Sequence, residues 1–147
     1  MPAAKSFREL NVYRLARESA RTVFVRSQTF PREERFSLTD QIRRSSRAVN
    51  AMLAEAWARR RYKAVFINKL DEALGEAMET QAWLDHCLDS GYLTQPDFDA
   101  LDANYRSVGA MLARMIDRAA DFCKNASDTD YRAVKPRGSE PPITPHQ

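Results

Sequence analysis

Proton transfer and metal binding need histidine, cysteine or carboxylate side chains gathered in one place, and this chain offers few such places. It has two histidines, His86 and His146, and two cysteines, Cys87 and Cys123. Asp85, His86 and Cys87 are sequence neighbours, but neighbours on a helix point in different directions, so they do not make a nucleophilic triad. No two Glu-x-x-His pairs exist to build a di-metal centre in a bundle. Asp71, Glu72, Glu76 and Glu79 form an acidic stripe. A carboxylate-only Mg²⁺ site would use such residues, while a solvated or subunit-facing stripe is the expected reading, because ion pairs are far commoner than metal sites made of scattered acids. Gly75 and Gly109 stand alone inside helical patterns and Gly91 ends one, so no glycine-rich loop cradles a phosphate. The two interior glycines are expected to serve close helix packing. The sequence therefore points to no catalytic residue, no metal site and no cofactor: the expectation is a protein that is not an enzyme.

The remaining chemical signal is positive charge. Arg43, Arg44 and Arg47 crowd the stretch QIRRSSRAVNAMLAEA; Arg59, Arg60, Arg61 and Lys63 form a second cluster; Arg14, Arg17 and Arg21 form a stripe. Residues 1–63 carry 15 Lys/Arg against 6 Asp/Glu, and residues 64–130 carry 5 against 13. A nucleic-acid binder needs several cations spaced to meet phosphates, and release of condensed counterions then drives association. On that reading Arg43, Arg44, Arg47, Arg59, Arg60, Arg61 and Lys63 bind RNA or DNA by backbone shape and charge, with little sequence readout. The competing reading is a protein-interaction scaffold whose arginines serve subunit or partner contacts. Trp57 and Trp83 are expected to pack or anchor an interface rather than stack on bases.

The elements that carry these residues read as helices. Only four glycines and few β-branched residues argue against a sheet. Leu10, Tyr13, Ala16, Ala20, Val23 and Phe24 recur at three- and four-residue steps, predicting helix one over Phe7 to Arg26. After Phe30-Pro31, helix two is expected from Arg32–Thr39 to Arg59, with Leu38, Ile42, Ser45, Val49, Met52, Leu53 and Ala56 inward and Arg43 and Arg47 opposite. Helix three covers Tyr62 to Ser90 through Phe66, Ile67, Leu70, Leu74, Ala77, Met78, Leu84 and Leu88, joins helix two by a short kink at Arg59-Arg60-Arg61, and stops at Gly91. Helix four starts at Thr94, an N-cap with Pro96 and Asp97 in the first turn, and runs to Asn125.

The expected fold is all-α: an antiparallel up-down-up-down four-helix bundle over 1–125, with a flexible tail over 126–147, where KPRGSEPPITPHQ holds four prolines and a glycine. No apolar run approaches a membrane span and no leader opens the chain. With both cysteines inside helical patterns, the expectation is reduced thiols in a cytoplasmic protein that meets no membrane.

Phe7, Leu10 and Val12, then FPREERFSLTDQIRRSS over 30–46, LAEAW over 53–57, ALGEAMET over 73–80 and GYL over 91–93 carry a further signal. Across residues 7–124 the chain resembles the four-helix bundle family named after the 23S rRNA intervening sequence, once labelled ribosomal protein S23. It departs from that family's Asn-Ile-Ala-Glu-Gly at Met52-Leu53-Ala54-Glu55-Ala56, keeping the glutamate. The resemblance implies a bundle and a homo-oligomer, with a ring-shaped pentamer as the suspected form. It also implies kinship with the accessory protein of diversity-generating retroelements, which binds a reverse transcriptase and nucleic acid through a basic surface.

Overall fold

The computed structural model describes residues 4–124, so the expected tail over 126–147 and Asn125 lie outside the described residues. Among the described residues there is helix and no strand. A short 3-10 helix, Phe7–Glu9, leads into α1, Asn11–Ser27; a second, Arg32–Glu34, leads into α2, Leu38–Ala58. α3 spans Lys63–Asp89, α4 Gln95–Asp117 and a last short α5 Ala119–Cys123.

Each long helix packs on two others, α1 on α2 and α4, α3 on α2 and α4. Contacts along the α1–α2 and α2–α3 seams run in opposite order. The start of α1 meets the end of α2 where Asn50 Nδ2 donates to the Tyr13 carbonyl, and the other ends meet where Arg43 Nε donates to Ser27 Oγ. Lys69 early in α3 pairs with Glu55 late in α2, and Arg44 early in α2 reaches Glu76 and Glu79 further along α3. Arg26 at the end of α1 pairs with Asp97 at the start of α4. The expected antiparallel four-helix bundle is the fold.

The core is the apolar stripe of each helix. Ile42, Val49, Leu53, Phe66, Leu70, Leu84, Tyr105, Val108 and Leu112 are essentially fully buried. α1 sits rotated from its expected register: Val12, Ala16, Ser19, Val23 and Ser27 face inward and Phe24 is 37% exposed. Small residues at Ala16, Ser19, Ser45, Ala73, Ala77 and Thr80 let the backbones approach, and the Ser45 and Thr80 hydroxyls satisfy one another at 2.8 Å. Burial pushes the Cys87 thiol up to about 12, so it stays protonated and inert at neutral pH.

The boundaries follow local chemistry. Thr94 Oγ1 accepts from the Asp97 backbone N–H, the expected cap of α4. At the end of α3, Gly91 takes φ 75° and the Tyr92 N–H turns back to the Cys87 carbonyl, closing the left-handed cap that only glycine enters without strain. The expected kink at Arg59-Arg60-Arg61 is a reversal: the Tyr62 N–H bonds the Arg59 carbonyl and α3 returns along α2. Helix four is also shorter than expected. Arg118 leaves the helical region at φ −105° and ψ 24°, and the redirected α5 lays Phe122 on Phe66 with ring centroids 5.9 Å apart. The two interior glycines differ: a Cβ at Gly109 would touch Leu74 at 3.4 Å, whereas one at Gly75 would meet nothing. The first is an ordinary van der Waals contact and the second open space, so the expected close packing demands glycine at neither position.

Candidate nucleic-acid interface

The seven expected binding residues do not share one surface. Arg44 is committed inside the chain. Its Nη1 donates to both Glu76 oxygens at 3.3 Å and its Nη2 to Glu79, and its pKa is raised first by the Glu76 hydrogen bond. That arrangement also accounts for half of the acidic stripe. Glu72 accepts from Lys69 at 3.2 Å, so three of the four stripe carboxylates pair with cations of the same chain, and Asp71 is exposed.

Arg60 is not a surface residue either. It is 7% exposed, its guanidinium carbon lies 3.7 Å from the Trp57 ring centroid, and its Nε donates to the Trp57 carbonyl at 2.9 Å. The residue holds the reversal between α2 and α3. Arg60→Gln is therefore expected to lower the stability by about 1–3 kcal/mol, the sum of a cation–π contact and a hydrogen bond in a sheltered place. Urea denaturation followed by tryptophan emission measures it, and nucleic-acid affinity should not change.

Arg59, Arg61 and Lys63 are exposed around that turn, with Arg61 lying 5.4 Å over the Tyr62 ring. Arg43 and Arg47 stand elsewhere. Twelve residues of α2 separate Arg47 from Arg59, about 18 Å at 1.5 Å per residue. Arg43 and Arg47 converge on Phe24 of α1, with guanidinium carbons 4.8 Å and 5.5 Å from its ring centroid. Ser27 Oγ fixes the Arg43 Nε at 2.7 Å.

Phe24 marks the α1 edge of this seam, and Arg21 and Arg17 precede it by three and seven residues on the same helical face. Arg14 continues the row. Arg14, Arg17, Arg21 and Arg47 are exposed and Arg43 is half-buried. None of these five is in an ion pair with a described residue. They make a ribbon along the α1–α2 seam, about 15 Å from Arg14 to Phe24. Facing away from it, α3 exposes Asp71, Asp85 and Asp89.

The clusters that could have done chemistry are dispersed. Asp85 and His86 are exposed and Cys87 is buried, and among the described residues no three His, Cys, Asp or Glu side chains gather to hold a metal. No described helix is long and apolar enough to cross a membrane.

A family model described as 23S rRNA-intervening sequence protein matches residues 8–114, the span that holds all four long helices almost to the end of α4. The chain belongs to that family. A similar solved structure is a protein of unknown function from the S23 ribosomal protein family of Bacteroides thetaiotaomicron VPI-5482. It is 28% identical, with a TM-score of 0.66 over 72% of this chain and 95% of that one. Comparison with curated proteins gives no match. The family match includes the whole ribbon, from Arg14 to Arg47, as well as Arg59 to Lys63 at the turn.

Proposed function

We propose that this family member is a non-enzymatic helical bundle that binds structured nucleic acid through the arginine ribbon on α1 and α2. The observation that carries the reading is the sorting of the arginines. Arg44 has its own carboxylates and Arg60 its own tryptophan, whereas Arg14, Arg17, Arg21, Arg43 and Arg47 line one face and form no ion pair with a described residue. Unneutralised guanidinium groups in a row repel one another, and a polyanion relieves that repulsion while releasing its counterions. Arg59, Arg61 and Lys63 extend the cationic face at the end of α2.

The test is a salt titration of the full chain, stripped of nucleic acid, against a structured RNA and a duplex DNA of similar length. Five phosphate contacts give a log–log slope of roughly −4 to −5 on B-DNA and a loss of about 10² to 10³ in affinity between 50 and 200 mM salt. No binding at low salt overturns the proposal.

One observation supports a second reading, self-assembly. Met78 is 60% exposed on α3, and Asp71 and Asp85 flank it at seven-residue steps on the same face. An apolar side chain framed by acids fits the basic seam of another copy, and head-to-tail contacts of that kind close into rings. Under this reading, sedimentation finds a closed oligomer for the wild type and a single chain for Met78→Glu. A single-chain mass for the wild type sinks it.

A further inference from the structure

A cleft of about 650 Å³ opens between the approach to α2 and the last turns of α3. Glu34, Ser37, Gln41, Trp83 and His86 are among its walls, and no lysine or arginine is. Glu34 is its fixed charge. Glu34 Oε1 accepts from Ser37 Oγ at 2.7 Å and Oε2 from the Tyr92 hydroxyl at 3.0 Å. Both donors are neutral, so they steady the carboxylate without cancelling it, and they hold its pKa below the ordinary range, Ser37 first and then Tyr92. No described cation pairs with it.

Trp83 forms another wall, with the His86 ring 5.9 Å away. Its indole N–H is buried and has no hydrogen-bond partner, so Trp83 meets the cleft with ring surface rather than with its donor. The carbonyl end of α3 adds partial negative charge at Ser90, where the helix is capped. An unpaired carboxylate, an indole face and a helix C-terminus attract the same ligand, a flat cation, and all three repel phosphate. Guanidinium fits best of the side-chain cations. It is planar, stacks on indole, and offers two parallel N–H donors to a carboxylate.

We propose that this cleft receives an arginine side chain presented by a protein partner, with Glu34 pairing the guanidinium and Trp83 stacking on it. The site is independent of the nucleic-acid surface and would stand if that reading failed.

The experiment titrates the full ¹⁵N-labelled chain with arginine amide and with citrulline amide, which keeps the α-ammonium and the planar side-chain shape and loses only the guanidinium charge. The indole N–H resonance of Trp83, identified by its loss in Trp83→Phe, reports occupancy. Expected is a saturable shift with arginine amide and a response about tenfold weaker or less with citrulline amide, the scale of one charge-assisted hydrogen-bond pair. Glu34→Gln should weaken arginine amide by a similar factor while the rest of the spectrum stays folded. Equal response to the two amides, no saturable shift, or an unchanged titration in folded Glu34→Gln overturns the site. Loss of wild-type oligomer mass in Glu34→Gln overturns the separate partner and assigns the arginine to a second copy of this chain.

Discussion

Phe66→Ala is expected to cost about 3–5 kcal/mol, read as a fall in the urea midpoint at unchanged slope. The size follows from where the ring sits. Phe66 is fully buried in the first turns of α3 and stacks on Phe122 of α5, so its removal empties the place where the redirected end of the chain is held. The rest of the buried core is close-packed and collapses only partly into such a space. A domain of this size has a total stability of about 5–15 kcal/mol, so one substitution removes about a fifth of it or more. Phe36→Ala supplies the contrast. Phe36 is 82% exposed with Arg35 over its ring, and its truncation should change stability by no more than about 0.5 kcal/mol. Equal losses for the two phenylalanines would mean that α5 does not seal the bundle.

The difference between these two rings shows what the sequence carries and what it does not. Long apolar stripes at helical spacing specified α2, α3 and most of α4, because burial demands that period and nothing else satisfies it. Thr94 and Gly91 marked their helix ends through side-chain capping and positive φ, both local properties. Register within a stripe was less legible. Phe24 reads as core by its hydrophobicity, yet α1 turns serines Ser19 and Ser27 inward and leaves Phe24 at the seam under Arg43 and Arg47. The break at Arg118 carries no proline or glycine and depends on Phe122 finding Phe66, a contact between residues far apart in sequence.

The candidate site was legible as charge and illegible as pairing. Seven clustered cations were visible in the sequence, but whether each is free depends on what the fold sets opposite it. Glu76 and Glu79 lie more than thirty residues from Arg44 and claim it across the α2–α3 seam. Arg60 is buried by its immediate neighbour in space, Trp57, three residues away, and the Trp-x-x-Arg spacing before a helix break was the available signal. Arg14, Arg17 and Arg21 read as a stripe in the sequence, and only the α1–α2 seam brings that row together with Arg43 and Arg47 around Phe24.

That sorting yields the second large effect, on binding. Replacing Arg14, Arg17, Arg21, Arg43 and Arg47 together by glutamine should flatten the salt slope by roughly 4–5 and weaken binding about a hundredfold or more at low salt, because each lost cation returns one set of counterions to the phosphates. Glutamine keeps a polar side chain at each exposed position, and Ser27 can still hydrogen-bond at 43, so helix content by circular dichroism should be preserved. Arg59 and Lys63 replaced together should remove a smaller part, about 2 of slope, if the cationic face extends to the α2–α3 turn. Arg44→Gln is the internal comparison: its guanidinium is spoken for by Glu76 and Glu79, so the slope should move by less than about one. A fivefold variant that binds like the wild type would refute the ribbon. If Arg44→Gln instead matched its effect, the nucleic acid would have to displace the Glu76 and Glu79 pairs on binding, and the contact surface would lie on the α2–α3 seam rather than on α1 and α2.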